Sequence, residues 1–175
     1  MGQIHTVNQN ELLDLLLDQS KWTEKGLDPS KGFILMGKVG VGKTYAMHKF
    51  AETQKIGWGH PKLPFIYGYP EDSDIKSVEY LCAKHGSDYL KTFTLHDMYI
   101  DDLGTEVTYN KNYGTDLNLG MELLTVRHKI RDEYKTYITT NYPPDLMIER
   151  YTERVWSRLQ EMCNVIIVTG KDLRK

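Results

Sequence analysis

The sequence predicts a three-layer α/β fold, in which helices cover both faces of a parallel β-sheet. Two observations favour this fold: short apolar runs alternate with helical patterns along the chain, and a glycine-rich turn joins the first run to a helix. Strands that are connected through helices run parallel and are buried on both faces. Five runs are predicted to be strands, at 33–36, 64–67, 98–100, 136–139 and 165–168.

Helices are predicted before and between these strands. The first should begin at Asn8, because Glu11 three residues later is typical of a capping box, and its leucines extend it to about residue 20. Other helices are predicted over 45–50, 74–90 and 119–130. In the last of these, four apolar residues recur at the spacing of one helix face: Leu119, Leu123, Val126 and Ile130.

Length and composition limit the possible classes of protein. A chain of 175 residues fits one domain, which we place at 31–175 after an N-terminal helix and lead-in at 1–30. With 22 basic and 24 acidic residues, the bulk charge favours neither a nucleic acid nor a membrane as partner. No signal peptide or membrane-spanning run is present, so we expect a cytoplasmic protein that does not bind membranes.

The cysteines and the N-terminus give weaker signals. Cys82 and Cys163 lie far apart and outside any C-x-x-C spacing, so they are expected to be reduced thiols in the core. Thr6 fits the sixth position of the myristoylation pattern M-G-x-x-x-[ST], and this modification therefore stays open.

The strongest chemical motif is the phosphate-binding loop G-x-x-x-x-G-K-T at 37–44. Its glycines permit a tight turn whose backbone N–H groups face the phosphates, next to the positive end of a helix. Lys43 is predicted to contact the β- and γ-phosphates, and the Thr44 hydroxyl to coordinate Mg²⁺. The alternative is a glycine-rich turn followed by Lys-Thr through chance. The residues predicted to bind the nucleotide are Gly37, Lys38, Val39, Gly40, Val41, Gly42, Lys43, Thr44 and Tyr45.

Two carboxylates, Asp101 and Asp102, end the third predicted strand, as in a Walker B motif. In a parallel sheet they lie at the carboxyl end, on the same side as the phosphate-binding loop. Asp101 is predicted to hold Mg²⁺, mainly through water, and Asp102 to orient or polarise the attacking water. The alternative is a pair of solvated acids that closes a strand.

A third motif follows the fourth strand, where Asn141 ends the sequence I-T-T-N. In phosphate-loop ATPases with an additional strand, this strand lies between the loop strand and the Walker B strand. Asn141 would then face the γ-phosphate and the water, since an amide both donates and accepts hydrogen bonds. The alternative is that Asn141 only begins the turn into the two prolines that follow.

Arginines recur every four residues at Arg150, Arg154 and Arg158, a spacing that places them on one helix face. A solvated surface is one interpretation. The other is an arginine finger, which enters the nucleotide site of a neighbouring subunit and stabilises charge that develops on the γ-phosphate. The roles of Arg150 and Arg154 are left open.

With these motifs, the chain resembles the AAA+ ATPase core of bacterial helicase loaders of the DnaC type and of their transposition relatives of the IstB type. The resemblance covers about residues 30 to 174, and its most diagnostic part is the segment E-R-V-W-S-R-L at 153–159. It implies that Arg158 is the finger that acts in trans, that Arg154 matches the first arginine of the segment, and that no separate helical lid follows.

The resulting hypothesis is a P-loop ATPase with five parallel strands in the order 5-1-4-3-2. It binds ATP and Mg²⁺, releases ADP, and forms a homo-oligomer with ATP. Nucleotide would control its assembly on single-stranded DNA, on a replicative helicase or on a transposase. Two other functions stay open: a nucleotide-gated adaptor without significant turnover, and a small P-loop kinase.

Overall fold

The computed structural model describes residues 3–54, 66–67, 97–104, 110–112, 115–117 and 119–174. The strands in these ranges are β1 Ile4–Asn8, β2 Gly32–Met36, β3 Ile66–Tyr67, β4 Met98–Ile100, β5 Asn110–Asn112, β6 Thr115–Leu117, β7 Thr136–Thr140 and β8 Cys163–Thr169. The helices are α1 Gln9–Leu17, α2 Gln19–Glu24, α3 Lys43–Gln54, α4 Leu119–Lys129 and α5 Pro144–Met162.

Six of the described strands form one sheet, in the order β1-β8-β2-β7-β4-β3, and every pair in it is parallel. Without β1, this is the predicted order 5-1-4-3-2, which is therefore confirmed. β5 and β6 form a separate antiparallel pair. The predicted helix over 74–90, residues 64 and 65 of the second strand, and Cys82 lie outside the described residues.

Strand β1 was not predicted from the sequence. It pairs with β8 along its whole length, from Ile4 opposite Val165 to Asn8 opposite Thr169. Its own pattern is weak, because only Val7 among its residues is buried, as suits a strand at the edge of a sheet. The local sequence of β1 does not predict a strand, and the pairing with β8 is what holds these residues in one.

The first helix begins where it was predicted. The Asn8 side chain caps α1 by accepting a hydrogen bond from the backbone N–H of Asn10 at 3.0 Å. The helix ends at Leu17, and Asp18 caps the separate helix α2 by accepting from the Ser20 N–H at 3.1 Å. One continuous helix to about residue 20 was therefore a wrong expectation, because Asp18 adopts an extended backbone and starts a new helix.

Strand β2 lies in the middle of the sheet, and all five of its residues are buried. On one face Phe33 packs against Phe50 and Tyr137, with ring centroids 5.2 and 4.9 Å apart. On the other face Ile34 belongs to the same apolar cluster as Leu159 of α5. Since neighbouring residues of β2 are buried on opposite faces, helices cover both sides of the sheet, as the three-layer prediction requires.

Helix α4 buries a different face from the predicted one. Leu123, Val126 and Ile130 are only half-buried, whereas Leu124 and Arg127 are fully buried. The Arg127 guanidinium donates from Nε to the Thr136 hydroxyl at 2.9 Å and from Nη2 to the Lys135 carbonyl at 2.7 Å. Apolar spacing failed here because a buried arginine with hydrogen-bond partners takes a core position. Burial lowers the pKa of Arg127 to about 10.

Cys163, at the start of β8, is a buried free thiol, as predicted for a core cysteine. Burial raises the pKa of its thiol to about 12, so it is protonated and unreactive at neutral pH. Among the described helices, none combines the length and the apolar character that a bilayer crossing demands.

Candidate functional site

The phosphate-binding loop connects β2 to α3 at the carboxyl end of the sheet. Two of its glycines, Gly40 and Gly42, have left-handed backbone angles, with φ of 85° and 88°. At Gly40 a Cβ would also lie 2.0 Å from the Asp172 carboxylate oxygen, so the Asp172 side chain would have to move. Glycine at Gly40 therefore serves both the turn and the close approach of the C-terminal segment.

Lys43 is almost completely buried, with 5% of its surface exposed. Its ammonium group donates to the carbonyls of Gly37 and Lys38 at 2.7 and 2.9 Å, and to the Asn141 amide oxygen at 2.8 Å. Because an ammonium has three N–H donors, all of them are used within the protein. Burial lowers the pKa of Lys43, while the two nearby carboxylates oppose this shift.

Thr44 and Asp101 lie next to each other, as the two predicted metal ligands should. The Thr44 hydroxyl donates to the Asp101 carboxylate at 3.0 Å. The Thr139 hydroxyl also donates to Asp101, and it accepts a hydrogen bond from the backbone N–H of Asp102 at 2.8 Å. Thr139 thus holds the Asp101 carboxylate and the backbone of Asp102. Its role was not predicted, because its side-chain partners lie on another strand.

Asp102 has a left-handed backbone, with φ of 51°, which brings its side chain towards Asn141. The Asn141 amide nitrogen donates to the Asp102 carboxylate at 3.2 Å. Burial raises the pKa of Asp102, and the neighbouring Asp101 charge raises it further. A carboxylate with a raised pKa accepts a proton more readily than an ordinary aspartate, which suits the predicted contact with the attacking water.

These side chains surround a cavity of about 490 Å³. Its polar lining consists of Lys43, Thr44, Asp102, Asn141 and Arg174. Its other side chains are apolar or aromatic: Val39, Tyr45 and Leu173. The remaining loop residues are close by: Gly37 and Lys38 hold the Lys43 ammonium through their carbonyls, and Val41 is buried in the core.

The C-terminal segment crosses the loop, and its contribution to the cavity was not predicted. The Leu173 N–H donates to the Gly40 carbonyl at 2.9 Å. The Asp172 carboxylate accepts from the Arg174 N–H at 3.0 Å and lies 3.6 Å from the Arg174 guanidinium. The Arg174 charge lowers the pKa of both Lys43 and Asp102, a second sign that it faces the cavity. A lone Arg near a chain end gives no local signal of this position.

The three arginines do not lie on one unbroken helix, as their spacing assumed. Helix α5 is interrupted at Thr152, where φ is 75° and ψ is 154°, so Arg150 precedes the break and Arg154 and Arg158 follow it. The Arg150 guanidinium lies 5.7 Å from the centres of the Tyr142 and Tyr151 rings. The periodicity argument assumed an unbroken helix, which the backbone at Thr152 excludes.

The two arginines after the break differ in their surroundings. Arg154 is exposed, whereas Arg158 is half-buried and donates from Nη1 to the Thr125 hydroxyl of α4 at 3.1 Å. Neither belongs to the lining of the cavity described above. The cavity and Arg158 are therefore separate parts of this molecule.

The donor set suits Mg²⁺ better than a transition metal. No cluster of three or more His, Cys, Asp or Glu side chains that could hold a metal is found among the residues that the structure describes. What the site offers is one hydroxyl, Thr44, beside one carboxylate, Asp101. Mg²⁺ typically uses one or two such protein ligands, with water and substrate phosphates completing its coordination. The residues present thus fit this ion.

Comparisons with known proteins support the fold. The crystal structure of the DnaC helicase loader is similar to this chain with a TM-score of 0.60 and 22% identity, over 96% of this chain and 93% of that one. The structure of DnaI gives 0.60 and 18%, over 91% and 84%. AMPPCP-bound DnaA from Aquifex aeolicus gives 0.56 and 18%, over 94% of this chain and 47% of DnaA.

The resemblance inferred from the motifs is thus confirmed at the level of the fold, which is similar to that of the DnaC helicase loader. This chain spans about half the length of the DnaA chain. Neither a protein-family model nor a curated protein sequence matches it.

Proposed function

We propose that this protein binds ATP with Mg²⁺ and hydrolyses it, in a replication-type or mobile-element role in which nucleotide controls assembly. The main support is one cavity at the carboxyl end of the sheet, which brings together Lys43, Asp102 and Asn141. Beside it the Thr44 hydroxyl and the Asp101 carboxylate are 3.0 Å apart. The similarity of the fold to helicase loaders and to DnaA adds independent support.

The loop residues 37–45 would hold the phosphates of ATP or ADP through their N–H groups. Lys43 would turn its ammonium from the loop carbonyls and Asn141 towards the β- and γ-phosphates. Thr44 and Asp101 would hold Mg²⁺, Asp101 mainly through water, and the ion would neutralise charge on the phosphates. Thr139 keeps the Asp101 carboxylate in position through its hydroxyl.

In the hydrolytic step, a water oxygen forms a bond to the γ-phosphorus while the bond from that phosphorus to the β-γ bridging oxygen breaks, giving ADP and phosphate. Asp102 would accept the proton that the water loses. Its raised pKa favours this transfer, and its contact with Asn141 aligns the carboxylate. Asn141 would also donate to the γ-phosphate or hold the water.

Two arginines would complete the site. Arg174 lines the cavity, so we assign it a contact with the terminal phosphate in the same chain. Arg158 does not line the cavity, so we assign it to the site of a neighbouring subunit, as an arginine finger in a homo-oligomer. The partner on which the oligomer assembles would be single-stranded DNA, a replicative helicase or a transposase.

Calorimetric titration with ATP and Mg²⁺, followed by a phosphate-release assay, tests this proposal. We expect binding that depends on Lys43 and turnover that rises with protein concentration. Removing Mg²⁺ with a chelator should abolish turnover and weaken ATP binding. No ATP binding by the folded protein would overturn the proposal.

A second candidate, a nucleotide-gated adaptor, is favoured by the absence of Arg158 from the cavity lining of its own chain. Such a protein would bind ATP and assemble without releasing phosphate. Sizing the protein with a non-hydrolysable ATP analogue, with and without single-stranded DNA, shows nucleotide-dependent assembly. Phosphate release under the same conditions then separates the ATPase from the adaptor, and phosphate transfer to added nucleosides would indicate a kinase.

A further inference from the structure

The nucleotide cavity has an apolar side that the phosphate chemistry does not use. Seven large hydrophobic residues of the described part of the chain are exposed, and three of them line this one cavity. Val39, Tyr45 and Leu173 are 52%, 60% and 63% exposed. Single exposed apolar residues need no explanation, but a cluster of them around a cavity indicates a surface that binds something.

The position of this cluster relative to the phosphates indicates what it binds. Lys43, Asn141 and Asp102 are joined by hydrogen bonds and mark the end of the cavity where the γ-phosphate would lie. Tyr45 directly follows Thr44 in the first turn of α3, where a nucleotide leaves the loop through its α-phosphate. The ribose and base must therefore extend over this side of the loop.

The side chains of the cluster are held in place from two directions. The Lys49 ammonium, one turn along α3, lies 6.0 Å from the centre of the Tyr45 ring and contacts Glu52 at 2.9 Å. The Leu173 backbone is fixed to the loop by its hydrogen bond to Gly40. An exposed aromatic ring held by a neighbouring cation is a suitable platform for a flat base.

We infer that Tyr45, with Val39 and Leu173 beside it, holds the base of the bound nucleotide by stacking and apolar contact. This inference rests on the proposed nucleotide site and adds its base-recognition surface. Of these three side chains, only Tyr45 has a hydrogen-bonding group, its hydroxyl. Stacking does not distinguish adenine from guanine, because both have an aromatic face. ATP and GTP should therefore bind with affinities within about tenfold of each other.

The test is calorimetric titration of the full chain with ATP, GTP and inorganic tripolyphosphate, in the presence of Mg²⁺. Tyr45→Ala should weaken ATP and GTP binding by about tenfold and leave tripolyphosphate binding unchanged. Tyr45→Phe keeps the ring and should bind both nucleotides like the parent. Leu173→Ala should weaken nucleotide binding by a smaller factor. Leu146→Ala removes an exposed leucine of α5 outside the cavity lining and should change nothing.

Several results would overturn the inference while the proposed function stands. These are unchanged ATP affinity in Tyr45→Ala, an equal loss for tripolyphosphate, and a preference of the parent for ATP over GTP of a hundredfold or more. An effect of Tyr45→Ala on assembly alone would assign the cluster to a contact between copies of the chain. If the parent bound neither ATP nor tripolyphosphate, the proposed function itself would fail, and the base site with it.

Discussion

The carboxyl end of the sheet and helix α5 differ in how their polar side chains are satisfied. At the sheet, hydrogen bonds link Lys43 to Asn141 and Asn141 to Asp102. In α5, the backbone breaks at Thr152, and Arg158 is anchored to α4 through Thr125 rather than to the cavity. The polar side chains at the sheet are therefore joined around one cavity, whereas Arg158 lies outside the lining of that cavity. We expect binding to belong to the single chain and fast hydrolysis to require contact between chains.

The largest expected effect concerns Arg158 and tests whether fast hydrolysis requires contact between chains. Arg158→Ala should lower hydrolysis by on the order of a thousandfold or more and leave ATP binding nearly unchanged, since a finger acts on the transition state in a neighbouring site. The phosphate-release rate and the calorimetric ATP affinity are the measurements. Arg131→Ala, whose guanidinium contacts the His128 carbonyl of its own turn, is the control and should behave like the parent.

Mixing variants tests whether Arg158 acts in trans. Arg158→Ala chains keep a complete loop, and Lys43→Ala chains keep the arginine, so a mixed oligomer contains some complete sites. Partial recovery of phosphate release is expected from the two inactive proteins. An inactive mixture that demonstrably co-assembles, or an active Arg158→Ala protein, would show that the arginine is a solvated surface residue.

Asp102→Asn separates chemistry from binding at the sheet. Loss of the carboxylate should lower hydrolysis by about a hundredfold to ten-thousandfold, because no group at this position accepts the proton from water. ATP should still bind, since the loop and Lys43 are untouched. Asp132→Asn, an exposed acid after α4, is the matched control. Hydrolysis at the parent rate would remove Asp102 from the mechanism.

The same variant has a stability signature with a defined sign. The pKa of Asp102 is raised in the folded protein, so its ionised form at neutral pH reduces the free energy of unfolding. Asp102→Asn should therefore raise the melting temperature of the nucleotide-free protein at pH 7. This gain should shrink as the pH falls and vanish well below about 4, where the carboxyl is protonated in both states. If the gain in melting temperature did not depend on pH, it would come from the backbone conformation at position 102 and not from the charge of the carboxylate.

Besides the loss of hydrolysis on which the mixing experiment relies, Lys43→Ala should have a moderate effect on ATP affinity. Charge-assisted hydrogen bonds contribute about 1.5 to 3 kcal/mol, so ATP should bind roughly tenfold to a hundredfold more weakly. Lys129→Ala removes an exposed lysine outside the cavity lining and tests for a general charge effect. Equal ATP affinities of Lys43→Ala and the parent in calorimetry would contradict the assignment of the loop.

The smallest expected effect concerns the break in α5. A threonine at the backbone angles of Thr152 is strained by roughly 1 to 3 kcal/mol, in a region that is nearly restricted to glycine. Thr152→Gly should raise the free energy of unfolding by about 1 kcal/mol after the entropic cost of glycine. Thr152→Ala keeps the strain and should give no such gain. Denaturant unfolding measures both, and a less stable glycine variant would show that the break is not strained.

The sheet order, and the position of the glycine-rich loop and of Asp101 at one end of the sheet, could be predicted because their signals are local. Residues 37–44 define a loop through glycine spacing alone, and the apolar run before Asp101 defines a strand. Once strands are parallel, their carboxyl ends meet on one side, so Thr44 and Asp101 come together whatever the details of packing.

Other features depend on contacts between distant parts of the chain. β1 is ordered by pairing with β8, the Thr139 hydroxyl acts on Asp101 of another strand, and Arg174 reaches the cavity from the chain's far end. None of these leaves a periodic or spaced pattern in the sequence around it, since the partner lies far away along the chain.

In helix α5 a local sequence pattern predicted an unbroken helix, which the structure does not show. Its arginine spacing predicted one face, because a period of four residues describes an unbroken helix. The backbone at Thr152 interrupts the helix, and Arg150, which precedes the break, lies beside Tyr142 and Tyr151. The amino-acid sequence by itself determined the chemistry at the carboxyl end of the sheet, where spacing along the chain sets geometry. Only the tertiary structure decided that Arg174 lines the cavity and that Arg158 contacts Thr125, because side-chain direction follows from packing and backbone angles.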